Sequence, residues 1–255
     1  IYYSGFRYNL AYPEMPFIGF RNYEKLFSEP EWWSSFGTTI LFMVACIVSE
    51  FLLGLGLALV CATDFKGVGA LRVIMLIPMM MIPAATGIMW KLMMYPGRSI
   101  IDLGLASIGL PEIPWLGNTF WTPVAVVIMD VWQWSPFIAI ILLAGLMGQP
   151  LEPFEAARVD GARPLFVFRK LTLPMLYPAI SVALILRVLD LLKLFDQPFV
   201  LAMGGSGTET VTFYVYRVGF RILDIGYGSA ISVIFWIFVW VLANILAIRM
   251  RRLYE

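Results

Sequence analysis

Five apolar stretches, at 36–63, 71–93, 120–147, 178–203 and 226–248, limit what this chain can fold into more than any other feature of it. The hydrocarbon core of a bilayer is about 30 Å thick and takes about 20 residues of helix to cross. Every one of the five reaches that length. Prolines interrupt the second stretch (Pro78, Pro83) and the third (Pro123, Pro136). A proline inside a spanning helix kinks it, and is tolerated where neighbours satisfy the carbonyl it frees. The stretches therefore predict an all-α polytopic membrane protein whose five spanning helices pack around a cavity.

Composition points the same way. Only 14% of the 255 residues are charged and 60% are hydrophobic, against roughly 25% charged in a soluble domain. The chain has too few water-facing side chains to cover itself in solution. A net charge of +1 implies no polyanionic partner, so no nucleic acid is expected. There is no histidine, which removes His-activated nucleophiles, His metal ligands and His proton relays. Cys46 and Cys61 fall on one predicted helix, about 22 Å apart along its axis, too far to bridge. They read as small apolar core residues, and no metal site is expected.

The connections fall into two sets. One holds residues 1–35, 94–119 (with Arg98) and 204–225 (with Arg217 and Arg221). The other holds 64–70 with Lys66, 148–177 with four basic residues, and the tail with Arg249, Arg251 and Arg252. Counting Arg72 and Lys91 with their nearer ends, the second set carries nine Lys and Arg residues against seven. The positive-inside rule then places that set and the C-terminus in the cytoplasm. An external N-terminal segment with no span before it inserts awkwardly, so a sixth helix before Ile1 is expected. The whole of 1–255 reads as one transmembrane domain.

The least apolar stretch, EAARVDGARPLFVFRKLTLP (155–174), carries six charges in twenty residues. Pro153 can open one short helix and Pro164 a second, with Asp160-Gly161 as the turn between them. Pro174 and Pro178 then punctuate the entry to the fourth span. The 148–177 connection is thus a cytoplasmic helical hairpin, far longer than a plain connection requires. Its basic residues are offset by Glu152, Glu155 and Asp160, leaving little attraction for anionic lipid.

Glu155-Ala156-Ala157, then Gly161, then Leu171-Thr172-Leu173-Pro174 matches EAA-x3-G-x9-I-x-L-P, with Leu171 in place of Ile. In this the chain resembles the membrane permease subunits of ABC importers. Asp160-Gly161-Ala162 is similar to the form seen in the carbohydrate-uptake, maltose-type class. So are IGFRNYEKLF (18–27), LIPMMMIPAATGIMWKLM (76–93), LFDQPFVLAMGG (194–205) and GYGSAISV (226–233). The resemblance covers essentially the whole chain. It implies half of a translocation pathway for a sugar or polyol, in the cytoplasmic membrane of a bacterium or archaeon. It also implies a second, similar permease subunit, an external solute-binding protein and two ATPase subunits that carry ATP and Mg. None of these cofactors is expected on this chain, where the phosphate-binding pattern G-x-x-x-x-G-K-[ST] is absent. By the resemblance, Glu155, Ala156, Ala157, Asp160, Gly161, Ala162, Leu173 and Pro174 couple to the ATPase. Glu155 and Asp160 either pair with it or cap local helix ends.

Ionisable residues inside spans are costly and mark functional sites by default. Arg187, Asp190, Lys193 and Asp196 are three apart with alternating sign on the predicted fourth span, either lining a wet cavity or forming a buried ion-pair ladder. Glu50 stands mid-span in the first. Asp130, Trp132, Gln133, Trp134 and Trp90, with Asp190 and Asp196, are candidate pathway residues, since sugar sites combine aromatic faces with polar groups. Tryptophans also populate membrane interfaces. One rival reading is an ion-driven secondary transporter coupled through the charged ladder. It would have no use for the hairpin. A second rival, an intramembrane enzyme, lacks histidine and clustered catalytic carboxylates.

Overall fold

The computed structural model describes residues 1–12, 14–97 and 99–251, the last of these in its backbone alone. Arg98 and Arg252, counted among the loop cations, and the side chain of Arg251 lie outside that description. Almost everything described is helix. The β pairing among these residues is two isolated antiparallel bridges, Phe6 with Phe17 and Asn9 with Asp224.

The N-terminal segment leads through α1 (Arg21–Ser28) to α2 (Pro30–Cys61). Pro30 begins α2 at a position where its missing N–H has no intrahelical partner to lose. The Arg72 guanidinium donates to the Cys61 carbonyl at 2.7 Å and so satisfies an end of α2 that the helix itself cannot. α3 (Val68–Ile74) and α4 (Ile77–Met80) follow, and Pro83 opens α5 (Pro83–Met93) after a break. Ser99 caps α6 (Ile100–Ser107) by accepting from the Asp102 amide. α7 (Trp121–Met147) is a single long helix. α8 (Glu152–Val159), α9 (Pro164–Val167), a π turn (Phe168–Thr172) and α10 (Leu173–Leu191) come next. After α11 (Asp196–Ala202), α12 (Val211–Tyr216) runs into a second π turn (Arg217–Arg221), and α13 (Ile225–Arg251) closes the described chain.

Among the described residues, four helices are long and apolar enough to cross a membrane: Pro30–Cys61, Trp121–Met147, Pro164–Leu191 and Ile225–Met250. The bent pair Val68–Met80 and Pro83–Met93 makes a fifth if it counts as one span. Three of the five expected stretches therefore stand nearly as drawn, and two need correction. The second is broken rather than kinked. The fourth, expected at 178–203, lies at Pro164–Leu191 instead.

Proline chemistry explains the displacement at both ends. Pro174 does not stop the helix because the π turn precedes it: the Leu173 N–H donates to the Phe168 carbonyl, five residues back. At the other end, a helix continuing through Pro198 would leave the Leu194 carbonyl without its donor. The helix ends at Leu191 instead, and Leu194 accepts from the Thr210 and Thr212 hydroxyls at 2.9 and 2.7 Å.

The described residues gather into two compact units. One comprises Ile1–Ala45, Ile82–Asp130 and Leu189–Asn244. Its core includes Phe42, Trp90, Met94, Trp115, Met129 and Leu201. In it α5 packs on α11, with Gly87 against Val200. The other comprises Cys46–Met81, Val131–Val188 and the chain from Ile245 onward. Its core joins Ala58 and Cys61 of α2, Ile138 and Leu142 of α7, and Leu176 and Ala183 of α10, with Met75. Two glycines allow that packing. A Cβ on Gly54 would lie 2.8 Å from Ile138 Cγ2, and one on Gly145 would lie 2.7 Å from Ala179 Cβ. Lipid tails give helices no hydrophobic reason to associate, so close backbone approach at small residues supplies the contact. Burial separates the long helices: 61% of the apolar window of α7 is buried against 11% of that of α13. Trp236, Trp240, Ile245 and Ile248 on α13 are exposed, a face that lipid tails can cover.

Candidate functional site

α8 carries Glu152 and Glu155 in its first turn and Arg158 in its last, charges that oppose the helix dipole at both ends. It stops in a Schellman turn. The Ala162 N–H donates to the Ala157 carbonyl at 2.9 Å, and the Gly161 N–H to the Arg158 carbonyl at 3.2 Å. Gly161 takes φ +69°, the left-handed conformation that such a turn demands. The spacing between the EAA alanines and the glycine is thus the spacing of a helix C-terminus. Arg163 is extended, as a residue before proline must be, and Pro164 restarts the helix.

The second arm corrects the expected hairpin. It is not a separate short helix: Pro164–Leu191 runs without interruption from the corner into the fourth span. Leu173 and Pro174 therefore sit within that helix, at the start of α10, rather than at a junction ahead of it. Glu155, Ala156, Asp160, Gly161 and Pro174 are exposed, while Ala157, Ala162 and Leu173 are half-buried. Leu151, Val159, Leu165 and Phe166 surround them with exposed apolar surface.

The buried charges also differ from expectation. Arg187 and Asp190 are on α10, but Lys193 falls in the turn after it and Asp196 begins α11, so the four do not form a ladder on one helix. Arg187 reaches Glu50 of α2, with Nε to Oε2 at 2.7 Å and Nη2 to Oε1 at 2.8 Å. The side chains are 2% and 0% exposed. The guanidinium also lies 4.9 Å from the ring centre of Trp134. A paired fork and an aromatic face suit a cation held away from water.

Several pathway candidates are committed to structure. Gln133 Nε2 donates to the Met81 carbonyl at 2.8 Å, at the break that separates α4 from α5. Gln197 Nε2 donates to Asp130 Oδ1 at 3.2 Å, both buried. Trp90 is part of the apolar core of its unit. Trp132, Asp190 and Asp196 keep exposed side chains.

A polar cluster went unread in the sequence. Arg217 donates to Glu31 and Glu209, each at 2.6 Å, and lies over the Tyr214 ring. Burial pulls its guanidinium pKa down, but the bonds to Glu31 and Glu209 outweigh that and raise it. Burial pushes the Tyr214 hydroxyl up, opposed by its hydrogen bond with Tyr227. Glu31 and Arg217 are 186 positions apart, beyond the reach of any spacing rule.

Helices long and apolar enough to span a bilayer define the chain as a membrane protein. Residues 51–255 match the family described as "Binding-protein-dependent transport system inner membrane component". The chain belongs to that family. It is 38% identical to a probable ABC transporter permease protein y4oQ of Sinorhizobium fredii, over 98% of this chain and 82% of the relative. It is 39% identical to the trehalose/maltose transport system permease protein MalF of Thermococcus litoralis, over 89% of this chain and 77% of that one. Among solved structures, a bacterial ABC transporter involved in import of the acidic polysaccharide alginate has a chain of the same fold. It superposes with a TM-score of 0.86 over 94% of this chain and 86% of its own, at 22% identity.

Proposed function

We propose that the chain is one membrane subunit of an ATP-driven importer for a sugar or polyol. The observation that carries this reading is the close relationship to permeases named for sugars, including the trehalose transport system permease protein SugA of Mycobacterium tuberculosis, 37% identical over 94% of this chain. In the assembly it pairs with a second permease subunit to enclose the pathway. An external solute-binding protein delivers the sugar, and two ATPase subunits hold ATP and Mg. The subunit resides in the cytoplasmic membrane of a bacterium or archaeon, with the hairpin and C-terminus on the cytoplasmic side.

The hairpin suits ATPase docking. Its charged corner, with Glu155, Arg158, Asp160 and Gly161 exposed, stands within apolar surface that a protein cleft would cover. Ala156 and Ala157 permit close approach, and Gly161 fixes the corner. Because the second arm continues as α10, a push on the corner reaches the membrane as rigid helix displacement. Alternating access follows as the ATPases close on ATP and separate after hydrolysis. Co-purification tests the docking claim. Proline cannot adopt φ +69°, so Gly161→Pro is expected to lose the ATPase subunit while still inserting in the membrane. Recovery of the ATPase at wild-type yield would refute it.

A further inference from the structure

The two arms of the hairpin join the spans differently. On one side α9, the π turn and α10 are one continuous helix. On the other, α7 ends at Met147 and only the non-helical residues 148–151 lead to α8. A push on the corner would thus reach α10 through continuous helix and α7 only through that short non-helical link. One side chain bridges the gap. Gln149 Nε2 donates to the carbonyl of Thr172, the last residue of the π turn, at 3.0 Å. One turn deeper, Gly145 meets Leu176 and Ala179 at backbone-close range. The base of the hairpin is therefore held at two levels, and the outer one is a single hydrogen bond.

We infer that Gln149 is a positioning residue for energy coupling: by pinning the loop after α7 to the π turn below α10, it makes the two helices move together when the hairpin is displaced. This rests on the importer reading above. It assigns a coupling role to a residue outside the EAA signature.

The test uses proteoliposomes holding the complete assembly and reads ATP hydrolysed per sugar imported. Gln149→Leu removes the donor. It should raise that ratio about fivefold, the equilibrium factor of one ordinary hydrogen bond, with the ATPase still co-purifying at wild-type yield. Gln149→Lys, which retains a donor, should restore the ratio. Should the Leu variant fail to assemble, Gln149→Glu keeps the shape without a donor and carries the same prediction. A purely structural role would lower yield or thermal stability and leave the ratio unchanged. A wild-type ratio in the donor-less variant, or a Lys variant as uncoupled as Leu, overturns the inference alone. Wild-type assembly that imports nothing on ATP overturns the importer reading and the inference with it.

Discussion

Glu50 and Arg187 show how much a single buried contact can decide. Both side chains are buried, and together they form a two-bond fork at 2.7 and 2.8 Å. Removing one partner breaks that fork, and breaking a buried pair typically costs about 3–5 kcal/mol, whereas replacing both with apolar residues of similar volume is often close to neutral. Arg187→Met should therefore lower the thermal unfolding midpoint in detergent sharply, and Glu50→Leu with Arg187→Met should recover most of the loss. A single variant as stable as wild type would show that the pair does not matter. The sequence marks both residues as costly, but 137 intervening positions hide the pairing. Charge spacing along one helix points Arg187 toward Asp190 instead. Gly161 is the opposite case: a local turn needs a local residue, and Asp-Gly between two helix patterns is readable without coordinates.

At the scale of elements, three of the five apolar stretches were legible, that of α7 despite Pro123 and Pro136, and two were not. α2, α7 and α13 follow their apolar stretches to within a few residues, or six at the start of α2, where Pro30 and Glu31 extend the helix. The fourth span moved because Pro174 and Pro198 have opposite outcomes. A π turn absorbs the first, while threonine hydroxyls from a distant segment stabilise a break before the second. The π turn adjoins Pro174 but has no signature in the sequence, and the threonines lie well beyond Pro198. The contact of α7 with α10 at Gly145 makes a direct prediction. Gly145→Val forces side-chain atoms into Ala179 and Leu176 and should destabilise by about 1–3 kcal/mol, read as a lower unfolding midpoint in detergent. Gly56→Val on α2, where nothing lies within 4 Å of a Cβ, should leave the midpoint nearly unchanged. Equal effects at the two glycines would rule out close packing as the cause.

The proposed function asks one thing of the whole molecule, that force applied outside the membrane moves helices within it. In that proposal the EAA corner supplies the contact, and the continuous helix from Pro164 to Leu191 carries displacement to the apolar core that α7, α10 and α2 share. The secondary-transporter alternative depended on a four-charge ladder that the break after Leu191 dismantles. Family membership was readable from the resemblance of the EAA spacing to a known signature, of which the geometry accounts for the glycine alone, at the left-handed corner position. The most direct measurement of the central claim is sugar uptake into proteoliposomes containing this chain, its partner permease and the binding protein, with and without the ATPase subunits. The account predicts uptake only when the ATPases and ATP are both present, and none from a proton or sodium gradient. Gradient-driven uptake without the ATPases would contradict it.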